Sequence, residues 1–277
     1  MKSGRVSRTA LNVAASMVTL GAKPGWRERL PAGLPELSEA LLLSSGQAPF
    51  TPRSLALARR PAAVRFAEFG ERFQPGAFEG LGRRKIFMNE QVEAALAAGA
   101  TQVLVVGAGF DTLGLRLAAE YPGVSFLEVD HPATSRVKQR ALQRLGQPPN
   151  LSCVAADLAD TLLSTVLSAQ PDWHVDARGV AVAEGLLYYL PRRGVRELFA
   201  EISASSAAGS RVAFSHLFER ASYPLTRLAL RVGGEPWLSA STTARLPEYI
   251  GPGWRVIEAR SGRRGRDLES LAVAEKC

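Results

Sequence analysis

The chain has 277 residues, of which 46% are hydrophobic, and this length and composition allow one large or two small folded domains. Only two cysteines and three scattered histidines are present, so we expect no disulfide framework, no metal site, and a reducing, cytoplasmic location. The net charge of +8 would attract an anionic substrate or a nucleic acid. However, no aromatic residues interleave with the dispersed arginines as base stacking requires, so we expect no nucleic-acid partner.

Residues 1–98 are predicted to form helices and no strand. The first helix, at about 5–21, has apolar residues at helical spacing, and Asn12, Ser16 and Thr19 interrupt the run, which argues against a signal peptide. No apolar run approaches the roughly 18 to 20 residues of a membrane span, so we expect no membrane partner. We predict that this segment covers the mouth of the following sheet as a helical lid. Its other predicted helices cover 35–45, 52–68 and 87–98, with the basic residues Arg83, Arg84 and Lys85 just before the last of them.

The stretch 101–131 predicts a strand, a glycine-rich turn, a helix and a second strand. The apolar run 103–106 ends at Gly107 and Gly109, as expected for a buried strand that leads into a tight turn. The second strand ends at Asp130, about 20 residues after the glycines. Glycines let the backbone approach a ligand closely, and a carboxylate at this position can accept hydrogen bonds from both hydroxyls of a ribose. The stretch therefore has the plan of a nucleoside-binding half-site.

The turn departs from the dinucleotide-binding pattern at two positions. Thr112 stands where a third glycine is expected, and Asp111 lies where a pyrophosphate would meet the start of the helix. An acid there repels phosphate and can cap the helix itself. The turn therefore favours a nucleoside without phosphates, such as S-adenosylmethionine, and disfavours an NAD-dependent oxidoreductase. An ordinary α/β turn is the alternative at this point.

Beyond residue 131, strands and helices alternate, which predicts a parallel sheet with helices on both faces. Asp130, Asp157 and Glu184 end three successive strands, and the carboxyl ends of such strands lie side by side. We therefore expect the three acids to converge on one site, although each could instead cap a helix or lie in a solvated turn. The predicted strands are 151–157, 179–185, 210–216 and a terminal hairpin of 253–260 and 268–276; the predicted helices are 133–145, 159–169, 191–207 and one or two within 218–252.

Four motifs resemble the leucine carboxyl methyltransferase family and its bacterial relatives, which are S-adenosylmethionine-dependent methyltransferases of secondary metabolism. They read VLVVGAGFDT, FLEVDHPATSRVKQRAL, AADL and AEGLLYYLP, and the resemblance extends over about 80–275. It implies an α/β fold of the class I Rossmann-like methyltransferase type, with a seven-stranded, mostly parallel sheet whose last strand is antiparallel. We accordingly predict a helical lid at 1–98 and one compact cofactor-binding domain at 99–277.

The resemblance also implies which residues bind the cofactor. Arg84 would clamp the methionine carboxylate, a task that suits the planar arginine fork, although without the family it would be taken for a surface arginine. Asp130 would hold the ribose hydroxyls, Asp157 and the Leu158 amide would hold the adenine, and Glu184 would face the ammonium or sulfonium end. The full implied set is Arg84, Gly107, Ala108, Gly109, Asp130, His131, Asp157, Leu158 and Glu184.

The catalytic residue stays unassigned, with Tyr189 and His216 as candidates. Tyr189 matches a family tyrosine near the transferred methyl group, and His216 stands where relatives often have an aspartate. A core aromatic residue and a buried histidine at the rim are the structural alternatives. A carboxylate acceptor, ionised at neutral pH, needs no general base, whereas a hydroxyl acceptor does.

The predicted function is S-adenosylmethionine-dependent O-methylation of a small-molecule carboxylate or hydroxyl, with S-adenosylhomocysteine as the product. The basic surface favours an anionic acceptor. We expect a monomer or a homodimer. The alternatives are a protein C-terminal carboxyl methyltransferase and a non-catalytic partner protein that binds S-adenosylmethionine. An RNA or amine methyltransferase is disfavoured, because AEGLLYYLP replaces the aromatic Pro-Pro signature that such enzymes often have.

Overall fold

The computed structural model describes residues 4–73, 76–218, 236–260 and 269–277. Residues 219–235, within the stretch 218–252 where we predicted one or two helices, and the whole turn 261–268 between the last two strands lie outside these ranges. The helices are α1 (Arg8–Gly21), α2 (Leu34–Ser45), α3 (Pro52–Ala58), α4 (Pro61–Glu71), α5 (Glu79–Ala97), α6 (Leu113–Glu120), α7 (Pro132–Leu145), α8 (Leu163–Ser168), α9 (Arg192–Ala204) and α10 (Leu246–Ile250), with 3-10 turns at Leu187–Tyr189 and Thr243–Arg245. The strands are β1 (Gln102–Val106), β2 (Ser125–Asp130), β3 (Leu151–Ala155), β4 (Gly179–Ala183), β5 (Arg211–Leu217), β6 (Trp254–Arg260) and β7 (Glu269–Lys276).

The seven strands form one sheet in the order β3-β2-β1-β4-β5-β7-β6. Strand β7 runs antiparallel to both β5 and β6, and the other neighbouring pairs are parallel. The predicted mostly parallel sheet with an antiparallel last strand is therefore confirmed. Because β7 runs in the opposite direction, it begins at the edge where the parallel strands end, and Glu269 pairs there with Leu217.

The sheet is buried on both faces, which explains why β1 and β4 are continuous apolar runs. Val103 and Val105 of β1 belong to a core shared with helices α1, α2, α5, α6 and α7. Leu104 and Val106 point to the other face, into a core shared with α8, α9 and α10. Strands β2 and β3 lie on one side of β1, and β4 and β5 lie on the other, so the strand order reverses at β1. Ligands bind at such a switch point in sheets of this kind, and here it lies at the carboxyl end of β1.

Several helix boundaries differ from the sequence predictions; the helix predicted at 159–169, for example, covers only Leu163–Ser168. The helix predicted at 87–98 begins at Glu79, so Arg84 lies inside α5 rather than before it. The glycines near its start lower its helix propensity, but packing overrides this, because a Cβ on Gly82 would collide with Leu20 and Trp26. The helix predicted at 52–68 is interrupted before Pro61, which begins α4 because proline cannot continue a preceding helix.

Helix α1 lies against the edge of the sheet where the parallel strands end. The backbone N–H of Ser7 donates to Thr134 Oγ1 over 3.1 Å, and a Cβ on Gly109 would lie 2.9 Å from that of Ala10. Leu11 also belongs to the same core as β1. Helix α1 therefore contacts this edge and shares a core with the sheet, while the role of residues 1–98 as a lid stays a prediction. Among the described helices, none combines the length and the apolar character of a membrane span.

Candidate cofactor-binding site

The structure places the predicted site residues along one edge of the sheet. In spatial order, Asp157 follows β3, Asp130 ends β2, the turn 107–109 follows β1, Glu184 follows β4 and Glu269 begins β7. Glu269 was not predicted from the sequence. The three predicted acids thus lie at neighbouring strand ends around the switch point.

The glycine turn is held to the end of β2 by Asp130. Gly107 and Gly109 have φ angles of 69° and 49°, in the left-handed region that favours glycine. Asp130 Oδ2 accepts a hydrogen bond from the Gly109 N–H, and Oδ1 accepts one from the His131 N–H at 2.6 Å. Burial raises the pKa of Asp130, and these two bonds oppose the rise. Because a carboxylate has about four acceptor positions, Asp130 retains capacity for further donors.

His131 and Asp157 form the outer part of this edge. His131 caps α7, with its Nδ1 accepting from the Ala133 N–H at 3.3 Å, so the ring proton lies on Nε2. That Nε2 is 3.3 Å from Asp157 Oδ2, and Asp157 Oδ1 accepts from the Ala159 N–H at 3.1 Å. The Asp157 side chain is 41% exposed. Asp157 thus makes the turn contact that we considered as an alternative, and its exposed side chain remains accessible to a ligand.

Five charged side chains from α5, the glycine turn, β4 and β7 form what we call the ion-pair cluster: Arg84, Lys85, Asp111, Glu184 and Glu269. Arg84 Nε is 2.8 Å from Glu184 Oε1, and Arg84 Nη1 is 2.6 Å from Glu269 Oε1. Lys85 Nζ is 2.7 Å from Glu184 Oε1 and 2.9 Å from Asp111 Oδ2. Because the five side chains are between 4% and 14% exposed, water screens these interactions weakly.

The ion pairs keep Asp111 and Arg84 charged despite their burial. Burial by itself would raise the pKa of Asp111, but Lys85 and other nearby cations hold it well below its ordinary value. Burial would likewise lower the pKa of Arg84, but Glu269 and Glu184 hold it well above its ordinary value. Asp111 also accepts from the Leu113 N–H at 3.0 Å, so it satisfies the first amide of α6 from the position before the N-cap residue Thr112.

The arginine proposed as a carboxylate clamp already has two carboxylate partners. Arg84 Nε donates to Glu184, and Nη1 donates to both carboxylate oxygens of Glu269, at 2.6 and 2.8 Å. The guanidinium lies against Gly185, where a Cβ would be 3.4 Å from Nη1 and Nη2. A cofactor carboxylate would therefore have to share Arg84 with Glu269 or replace it.

Three residues at this edge were not predicted as site residues from the sequence: Lys85, Tyr188 and Glu269. Tyr188 donates from its hydroxyl to Glu269 Oε1 over 3.2 Å, and burial raises its pKa well above the ordinary value, so it stays protonated. Lys85 was visible only as a neighbour of Arg84 in a basic triplet. No local signal connects Glu269 with Arg84, 185 positions away, because only the direction of β7 brings them together.

The two catalytic candidates lie in different surroundings. Tyr189 stands after β4, and its ring centroid is 4.7 Å from that of Tyr188, next to the ion-pair cluster. His216 is fully buried in β5, with Nδ1 3.2 Å from Leu217 O and its ring 6.3 Å from that of Tyr249. Burial lowers the pKa of His216, so it is neutral at pH 7. The described part of the chain does not place His216 in the ion-pair cluster, and its role toward an acceptor stays a prediction.

Comparison with known proteins identifies the family. A model of the leucine carboxyl methyltransferase family matches residues 38–203, more than half of the chain. The chain belongs to the leucine carboxyl methyltransferase family. It is 28% identical over 284 aligned residues to a predicted S-adenosyl-L-methionine-dependent methyltransferase of Mycobacterium bovis (strain BCG / Pasteur 1173P2), covering 92% of this chain and 79% of the relative. A similar protein of Mycolicibacterium smegmatis is 36% identical over 146 residues, which cover 51% of this chain and 47% of the relative. The prediction of an S-adenosylmethionine-dependent methyltransferase is confirmed.

Solved structures share the fold of this methyltransferase. A predicted methyltransferase from Thermobifida fusca YX superimposes with a TM-score of 0.61 at 19% identity, covering 91% of this chain and 97% of that one. A protein of the DUF574 family from Streptomyces avermitilis also has a TM-score of 0.61 at 19% identity, with 87% and 97% covered. The predicted α/β, Rossmann-like methyltransferase fold is confirmed.

The residues at this edge fit the cofactor of the family. Glu184 Oε2 is buried and has no hydrogen-bond partner among the described residues, so a carboxylate oxygen is available to a cation. Nearby, the glycine turn offers close backbone approach, and Asp130 retains acceptor capacity. Within the described ranges, no three His, Cys, Asp or Glu side chains group as metal ligands. The assignment of single residues to parts of the cofactor stays a prediction.

Proposed function

We propose that this methyltransferase transfers the methyl group of S-adenosylmethionine to an oxygen of a small molecule, either a hydroxyl or a carboxylate, in secondary metabolism. The observation that carries the proposal is the row of acids around a phosphate-repelling glycine turn, with one buried Glu184 oxygen left for a cationic ligand. The mitomycin 7-O-methyltransferase MmcR, which is 17% identical, has the same fold with a TM-score of 0.50, so the architecture is compatible with O-methylation.

Each part of the edge has a binding task in this proposal. Arg84 holds the methionine carboxylate, and the free oxygen of Glu184 faces the ammonium or sulfonium group. The amides of the glycine turn line the methionine and ribose, and Asp130 accepts from the ribose hydroxyls. Asp157 and the Leu158 amide hold the adenine. Asp111 is a carboxylate paired with Lys85, so it offers a phosphate no binding partner.

The chain contributes alignment and exclusion of water to the reaction. The cofactor supplies a methyl group activated by its sulfonium, and the transfer is an in-line displacement by the acceptor oxygen. Helix α1 lies over the glycine turn through Ala10, and Ser7 attaches it to α7, so in this proposal the helix limits the access of water to the turn. Holding both reactants in line in a dry site supplies much of the rate enhancement in such reactions.

The charges at the edge give a carboxylate acceptor no advantage over a hydroxyl. The overall net charge of +8 favoured an anionic acceptor, but the ion-pair cluster contains three carboxylates and two cations. Because the cationic cofactor would compensate this negative excess, the loaded site offers a carboxylate no surplus of positive charge. A hydroxyl acceptor needs a base, and Tyr188 is unsuited because its raised pKa keeps it protonated. Tyr189 and His216 stay the candidates.

Binding and product analysis test the proposal in sequence. Calorimetry should detect S-adenosylmethionine and S-adenosylhomocysteine but not NAD, and binding of NAD alone would refute it. A screen with methyl-labelled cofactor should then compare metabolites that have a hydroxyl with their carboxylate counterparts. Label transfer to oxygen is the expected result. Transfer only to amines, or only to the C-terminal carboxyl of a protein, would replace the proposed acceptor.

A further inference from the structure

The ion-pair cluster has an uneven charge. Arg84 and Lys85 contribute two positive charges, while Asp111, Glu184 and Glu269 contribute three negative charges.

The excess is concentrated at Glu184 and Glu269. Both share Arg84, and Glu184 also has Lys85, whereas Glu269 has Arg84 and the neutral hydroxyl of Tyr188 as its partners. Glu269 is therefore the carboxylate with the weaker compensation. Its side chain is 14% exposed, so solvent stabilises its charge only partly.

The cofactor and its product differ by one charge. S-adenosylmethionine has a carboxylate, an ammonium and a sulfonium, for a net charge of +1, and S-adenosylhomocysteine lacks the sulfonium charge and is neutral overall. S-adenosylmethionine therefore compensates one excess negative charge in the site, whereas S-adenosylhomocysteine does not.

We propose that Glu269 is a specificity-determining residue that makes the site bind the cationic cofactor more tightly than its neutral product. This inference rests on the proposed function and adds to it a preference that limits inhibition by the product. In a weakly screened site, one uncompensated charge changes the affinity ratio of two ligands that differ by one charge by roughly tenfold.

The test compares two ligands in three proteins. Dissociation constants for S-adenosylmethionine and S-adenosylhomocysteine are measured by calorimetry with the wild type, Glu269→Gln and Glu275→Gln. Glu275 lies on the same strand but pairs with Arg211 and Arg255 at the surface, so it is a matched control. We expect the wild type to prefer the cationic ligand, Glu269→Gln to reduce that preference roughly tenfold, and Glu275→Gln to retain it.

The ratio of the two dissociation constants separates an effect of the Glu269 charge from an effect on the structure of the site. If Glu269 only supported Arg84, its replacement would weaken both ligands by the same factor, and an unchanged ratio would overturn the proposal. A second measurement needs no variant: sinefungin, which has an amine-bearing carbon in place of the sulfonium, should bind the wild type like the cofactor. Binding as weak as that of the product would also overturn the proposal. A wild type that binds none of these nucleosides would refute the proposed function itself.

Discussion

Replacement of Asp130 by asparagine tests the predicted ribose contact. A hydrogen bond to a charged acceptor contributes about 1.5–3 kcal/mol, and asparagine retains a single, uncharged acceptor oxygen. We therefore expect Asp130→Asn to weaken cofactor binding by about 1–3 kcal/mol, or roughly 5- to 150-fold. The N–H groups of Gly109 and His131 both donate to this carboxylate, so one of them loses its acceptor in the variant. That loss lowers the stability of the fold. Burial raises the pKa of the Asp130 carboxyl, so removal of its charge offsets the loss.

The two effects on stability oppose each other, so the melting temperature should change by less than about 4 °C. Calorimetric titration with S-adenosylhomocysteine measures the affinity, and thermal unfolding shows that the variant is folded. Asp172→Asn, at an exposed acid before β4, is the matched control and should bind like the wild type. A folded Asp130→Asn with wild-type affinity would assign Asp130 to tethering the glycine turn alone.

Three further predictions concern buried groups. Lys138→Met should destabilise the fold by about 3–5 kcal/mol in denaturant titrations, because it removes the ion-pair partner of buried Glu128, 2.6 Å away. Adding Glu128→Gln to this variant should restore part of the lost stability. Burial raises the pKa of Cys153 well above its ordinary value, so a thiol reagent near neutral pH should label exposed Cys277 far faster, and equal rates would contradict this. Burial lowers the pKa of His216, so stability should be full above about pH 6.5 and fall as the pH drops through that value, a dependence that His216→Gln should remove.

The sequence by itself determined the features that depend on neighbouring residues. The apolar runs of β1 and β4 and the glycine turn were predicted because strand burial and left-handed backbone leave a local signature. Alternation of strands and helices fixed the parallel part of the sheet, and with it the common edge of Asp130, Asp157 and Glu184. The hydrogen bond that Asp111 accepts from the first amide of α6 is equally local, because the acid is adjacent to the helix.

Only the tertiary structure decided which charges meet and where α5 begins. Gly82 permits the early start of α5 because it packs closely against Trp26 and Leu20. Helix propensities of single residues do not include such tertiary contacts. Arg84 and Glu269 meet because an antiparallel strand begins where the parallel strands end, and electrostatic pairing over such a sequence separation leaves no periodic pattern. The sequence therefore specified the row of acids, whereas the folded sheet determined their cationic partners and the remaining negative charge.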